Sequence, residues 1–317
     1  MRFAIIALLF FTKLSFAAKT DEVAHSKVWL RLLHYKMDWL GRSRSLADGP
    51  EFFFSLAGNK DPKAELLATI EAFSKDIKVG KLKQHPQCAF PERYSFLKSE
   101  LHFEIKNVSC PELERFLNIF NAKSVTLVYS SAFASNPVSI FGHTFLRFNT
   151  NAENKSDLLD WGLNYSAKVP ADENRVLYAF RGIFGGYRGE LSIEPYYAKV
   201  NEYNNSESRN LWEYDLNLTA EQTRHMLMHA WELDNATWFD YYFLDENCSY
   251  LLLSLIEAAR PDWDLTNFAI YVAPGETIKR VAQIPGAVTH IKLRPSLRNK
   301  LYQHLDSLSD SQRKTFL

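Results

Sequence analysis

Residues 239–253, FDYYFLDENCSYLLL, join an aromatic run, an acidic and polar turn, and the start of a leucine stripe. Leu251, Leu252, Leu255, Ile256 and Ala259 recur at helical spacing, and Pro261 follows as a stop. Asp245 and Asn247 are both residues that cap helices. The pattern predicts a buried helix from about Cys248 to Ala259 with Cys248 in its first turn. Unpaired backbone N–H groups at such an end stabilise a thiolate and can hold an oxyanion. Asp245 and Glu246 oppose a thiolate by like charge, so it needs a cationic partner such as an imidazolium. Taken alone, a cysteine there is more often a small core residue.

Upstream, the texture from Ser124 onward is that of a sheet. Ser124–Ser131, Ile140–Phe148, Leu158–Ser166, Leu211–Leu216 and Val288–Leu293 are rich in β-branched and aromatic residues and read as strands. Within the second lies Phe141-Gly142-His143-Thr144-Phe145. Strand alternation puts His143 on one face with Phe141 and Phe145, and Gly142 leaves room for another backbone or a substrate. An imidazole that serves a thiol needs a third polar group to orient it. Asn164 and Asp160, both on the next strand, are the candidates. Gly182, Gly185, Gly186 and Gly189 have the wrong spacing for a phosphate-binding motif and suit a mobile loop over a site. Thr219 and Gln222 form a capping box that opens a long helix.

The first part of the chain reads as helical. Trp29, Leu30, Leu33, Met37 and Leu40 predict a helix over 23–41, whose basic flank is either solvated or in contact with anionic lipid. Asp61-Pro62 starts a second helix with Leu66, Leu67, Ile70 and Phe73 as its apolar stripe. Phe3–Phe11 is an apolar run after Arg2, and Ser15-Phe16-Ala17-Ala18 offers small residues for cleavage, so residues 1–18 read as an export signal. No later stretch is long and apolar enough to span a bilayer. Export permits disulfides. Cys88 and Cys110 either pair, leaving Cys248 as the odd thiol, or all three cysteines are reduced and buried.

Equal numbers of basic and acidic side chains, 37 each, argue against a nucleic acid partner. His225 and His229 stand at a metal-ligand spacing, but no clear third ligand accompanies them. A partly exposed helix face is the simpler reading, and neither metal nor cofactor is expected.

Three stretches carry a resemblance: Val125–Arg147 (VTLVYSSAFASNPVSIFGHTFLR), Phe180–Tyr197 (FRGIFGGYRGELSIEPYY) and Phe239–Leu253. Together they resemble the periplasmic domain of the Lnb lipoprotein N-acyltransferase family, and Trp29-Leu30 with Leu32-Leu33 resembles the helical region that precedes it. That domain is similar in turn to permuted papain-like proteins, including NlpC-type hydrolases and lecithin retinol acyltransferase. The resemblance implies an α+β protein in which a permuted papain-like (NlpC-type) catalytic domain, with an antiparallel sheet and a nucleophile helix, follows a mostly helical N-terminal domain. The implied boundaries are 1–18 for the signal peptide, 19–122 for the helical domain, 123–297 for the catalytic domain and 298–317 for a C-terminal helix. Cys248 becomes the nucleophile, His143 its base and Asn164 the orienting residue. The implied activity is an exported, periplasmic cysteine acyltransferase of the Gram-negative envelope. It would act on phospholipid or lipoprotein acyl groups at the membrane surface, with Trp238, Phe239, Tyr241, Tyr242 and Phe243 as a candidate acyl pocket or ordinary core. The same residues suit a cysteine peptidase or amidase acting on cell-wall peptides, or a binding module that has lost turnover.

Overall fold

The computed structural model describes residues 16–37, 40–131, 142–150, 156–169, 181–182, 185–242, 247–267, 274–309 and 312. The chain divides into two units. One comprises Met1–Asn118, Arg224–Asp240 and Ser254–Asp264; the other comprises Ile119–Thr223, Tyr241–Leu253 and Leu265–Leu317.

In the first unit, the single helix expected over 23–41 does not form. A helix over 16–24 is followed by a second, Lys27–Leu32, capped by the Ser26 hydroxyl, which accepts from the Trp29 N–H. His34 adopts φ +53°, and Tyr35–Met37 (β1) pairs with Ser43–Ser45 (β2). The cause is tertiary: His34 is buried, with its Nε2 3.0 Å from the Nε2 of His229, and that contact outweighs local periodicity. Asp61 caps Pro62–Phe73 as expected, but Leu67 faces solvent, while Glu65 and Thr69 are fully buried. Glu65 is drawn inward because its carboxylate accepts from the Phe54 and Ser55 N–H groups and the Thr69 hydroxyl, beside Arg93.

Prolines open three further helices, Pro86–Ala89, Pro91–Leu101 and Pro111–Phe120, where a missing N–H costs nothing. Cys88 and Cys110 form a disulfide, and Cys248 is the free cysteine. The bridge spans 22 positions, so reduction should remove about 3 kcal/mol of stability through the chain entropy of the unfolded state. A fall in Tm on adding a thiol reductant, absent in a Cys88→Ser/Cys110→Ser variant, checks this.

His229 is fully buried rather than partly exposed: its Nδ1 meets Glu232 at 3.0 Å while its Nε2 meets His34. His225 pairs with Glu92 at 2.8 Å. The two histidines thus serve separate carboxylates, and no cluster of three or more metal-ligating side chains stands among the described residues.

The second unit is built on antiparallel strands, Ser124–Ser130 (β3), His143–Asn149 (β4), Trp161–Ala167 (β5), Tyr187–Pro195 (β6), Leu211–Leu216 (β7) and Val288–Arg294 (β9), with Tyr241, the last residue of the short strand Phe239–Tyr241 (β8), at one edge. The order is β8-β6-β5-β4-β3-β7-β9, and Tyr241 of β8 belongs to this unit. β5 starts later than expected because Ser156 caps a tight turn, Asp157–Leu159. There the Asp157 carboxylate meets Arg147, Lys292 and Arg294. Val128, Phe145, Tyr196, Val200, Tyr203 and Leu211 pack as one core cluster.

Thr219 and Gln222 exchange the two bonds of the capping box. Asn247 caps the Cys248–Ala259 helix by accepting from Ser249 N–H at 2.9 Å and Tyr250 N–H at 3.3 Å. The last helix is Leu297–Ser307. Residues 1–15 of the expected export signal, Asp245 and Glu246 lie outside the described residues. Among those described, no helix is long and apolar enough to cross a membrane.

Candidate active site

Register brings the three expected residues together. Cys248 opens its helix under the Asn247 cap, and His143 opens β4, paired across from Ser130 of β3. Asn164 sits within β5, which runs antiparallel to β4. The Cys248 Sγ lies 3.4 Å from His143 Nδ1, and His143 Nε2 lies 2.5 Å from Asn164 Oδ1. An amide oxygen only accepts, so Nε2 carries the hydrogen. In the neutral ring Nδ1 is therefore the basic nitrogen, and it faces sulfur. Gly142, at φ +83°, sits just before the histidine. A Cβ there would come within 2.5 Å of the Tyr129 ring and 2.8 Å of the Ser130 carbonyl oxygen, which accounts for the glycine.

Desolvation pushes the buried Cys248 thiol up, but the charge and hydrogen bond of His143 outweigh it. The Thr144 N–H and Ser249 hydroxyl add to that effect, and the thiol is held down to about 7. Desolvation likewise opposes the imidazolium, yet the adjacent thiolate and the bond to Asn164 raise His143 above its ordinary value. Each group thus holds the other in its charged form, and the two titrate as a pair.

Asp160, the other candidate for orienting the histidine, is engaged elsewhere: its carboxylate accepts from the Thr150 N–H and hydroxyl and lies near Arg147. The aromatic crowd divides. Phe239 packs edge-on against His34 in the first unit. Tyr241 reaches the thiol: its hydroxyl accepts from the Cys248 backbone N–H, bonds to the sulfur, and stays protonated because burial raises it well above the ordinary phenol range. The backbone N–H expected to stand open at Cys248 is therefore taken by a phenol, whose ring lies 5.7 Å from that of Tyr165. Tyr165 in turn lies over Gly189, where a Cβ would collide with its hydroxyl. Gly189 is therefore a strand position under a tyrosine, within β6. Phe243 lies outside the described residues. The roles of the Thr144 N–H, Ser249 and Tyr241 depend on register, and no sequence signal points to them individually.

Two family models match the chain. Residues 112–283 match the model of the Lnb N-terminal periplasmic domain, and residues 21–100 match a domain of unknown function, DUF7843. No curated protein and no solved structure shows significant similarity to the chain. The first match covers more than half of the chain and includes Cys248, His143 and Asn164, so this protein belongs to the Lnb N-terminal periplasmic domain family.

Proposed function

We propose that the protein is an exported, periplasmic cysteine acyltransferase that carries an acyl chain as a thioester on Cys248. The observation that carries this reading is the line of sulfur, imidazole and amide: Sγ at 3.4 Å from Nδ1, and Nε2 at 2.5 Å from Oδ1. Family membership and the apolar run at Phe3–Phe11 support the setting. In the first half-reaction the Cys248 thiolate attacks the carbonyl carbon of a phospholipid ester, and the π pair moves onto the oxygen. The Tyr241 hydroxyl, polarised by the Cys248 N–H that it accepts, is the donor for that oxyanion. The C–O bond then breaks, His143 Nδ1–H protonates the departing alkoxide, and a thioester remains. In the second half-reaction an amine attacks the thioester, His143 Nδ1 takes its proton, and the C–S bond breaks to restore the ion pair.

Incubating the purified protein with vesicles of acyl-labelled phospholipid tests this. Label should be trapped on Cys248 and disappear in Cys248→Ser. Trapping that survives that replacement removes Cys248 as the nucleophile. Release of amines from cell-wall peptides without any lipid dependence would instead favour a peptidase or amidase.

Asn164→Ala removes the acceptor that fixes the Nε2–H tautomer and supports the imidazolium. A hydrogen bond to a charged group contributes about 1.5–3 kcal/mol, so the trapping rate should fall by about 10–100-fold. Asn164→Asp should retain much of it, and stopped-time trapping assays on the two variants compare them.

A further inference from the structure

We propose that Tyr203, presented on a π-helical turn, positions the imidazole of His143 by acting as an aromatic platform for it. The inference rests on the Cys248–His143 reading. Val200–Ser206 is a π-helix, a rare geometry that occurs frequently at functional sites. It turns Tyr203 into the interior, where the residue is 7% exposed. The Tyr203 ring centroid lies 5.7 Å from that of His143 and 5.9 Å from that of Phe145. His143 and Phe145 share one face of β4 and lie nearly parallel, at 24°. The imidazole therefore has aromatic neighbours from its own strand and from the π turn. Sulfur lies at one ring nitrogen and the Asn164 amide oxygen at the other.

The turn itself is pinned. Asn204 donates to the Arg209 and Arg294 carbonyl oxygens, and the Arg209 N–H donates to the Tyr203 carbonyl oxygen. The Arg209 guanidinium lies 5.0 Å from the Tyr203 ring and donates to the carbonyl oxygens of Ser130 and Ser131, the former being the register partner of His143. Lys199 approaches the same ring at 5.7 Å. The charged groups around the imidazole and its platform are thus Cys248, Arg209, Lys199, Glu202 and Glu207. Arg209 repels an imidazolium, whereas the π-face of Tyr203 attracts one. An aliphatic side chain at 203 would leave that repulsion in place and remove the attraction and the contact of the tyrosine ring, which is tilted 41° from the imidazole plane.

The test is an ultraviolet titration of the Cys248 thiolate, taken as the difference between each protein and its Cys248→Ser counterpart. Tyr203→Phe, which keeps the ring, should keep the midpoint near that of the wild type. Tyr203→Leu and Tyr203→Met should move it up toward an ordinary thiol, about 8.5, and lower phospholipid trapping about tenfold, the change that a shift of about one pKa unit represents. Wild-type midpoints in both aliphatic variants overturn the inference and leave the Cys–His reading intact. A wild-type midpoint already at an ordinary thiol overturns both. Loss of fold in the aliphatic variants is covered by a measurement on the unmodified chain: a nuclear Overhauser contact between the Tyr203 ring protons and the His143 Cε1–H is required, and its absence refutes the platform.

Discussion

Replacing His143 by alanine should raise the ionisation midpoint of Cys248 from about 7 to above about 8.5, the ordinary thiol value. The helix end does little to compensate. Its first-turn donors are already occupied: Asn247 accepts from the Ser249 and Tyr250 N–H groups, and Tyr241 accepts from Cys248's own N–H. The Thr144 N–H and the Ser249 and Tyr241 hydroxyls remain as donors to the thiolate, while the burial that pushes the thiol up is unchanged. A rise of at least ~1.5 units corresponds to about 2 kcal/mol withdrawn from the thiolate. The Cys248 folded value is depressed, so the ion pair is present above about 7 and is lost as pH falls through that value. It is lost again at alkaline pH, when the raised His143 finally deprotonates. His143→Ala removes both limbs. On the proposed mechanism it also removes the acid that protonates the leaving group, so acyl trapping near neutrality should fall by roughly 10²–10⁴. Difference titration against Cys248→Ser reads the midpoint directly, because the other two cysteines are tied in a disulfide. A midpoint still near 7 without the imidazole would mean that something else ionises the thiol.

The parts of this site that depend on neighbouring residues in sequence were legible before any coordinates. The Cys248 helix and its leucine stripe follow from spacing alone, as do the Asp61-Pro62 start and the Thr219–Gln222 box, while the choice of Asn247 over Asp245 as the cap does not. His143 and Asn164 were legible as candidates because strand alternation and a following strand narrow the choice. Their meeting depends on the β4–β5 register, which no local pattern encodes. Tyr203 was not legible: its inward aim depends on a π turn stabilised by Asn204 and by backbone contacts with Arg209. The break at His34 and the burial of Glu65 were missed for a related reason. Both residues satisfy distant polar partners, while the residues around them carry an ordinary helical stripe.

Those buried polar groups carry the second large effect: Arg93→Met should destabilise the protein by about 3–5 kcal/mol. Arg93 and Glu65 are fully buried and paired at 3.3 Å, and the guanidinium also donates to the Phe52 carbonyl oxygen at 2.8 Å. Its flat face lies 3.9 Å from the Phe52 centroid and 4.5 Å from that of Phe90. Methionine restores much of the volume but none of the charge, so the loss should come mainly from stranded carboxylates. Glu232, also fully buried, would keep the backbone N–H of position 93 and its contact with His229 but lose the nearby cation; desolvation already raises Glu65, and lifts Glu232 to about 7, against the opposing pull of Arg93. A carboxyl raised in the folded state contributes stability that is complete below its unfolded value, 4.5, and is lost as pH rises through its folded one. Without Arg93 both carboxyls rise further, so the gap in Tm between variant and wild type should widen from pH 5 to pH 8 and narrow toward acid. The buried His34 and His229 reinforce that direction. Burial and Arg93 both hold them neutral, so acid weakens the wild type, and removing the cation relaxes part of that cost. Glu65→Gln in the Arg93→Met background should recover part of the loss at pH 8 and little at pH 5. A gap that ignores pH, or one below about 1 kcal/mol, would mean that the guanidinium acts here chiefly as packing between Phe52 and Phe90 rather than as the counter-charge of the buried carboxylates.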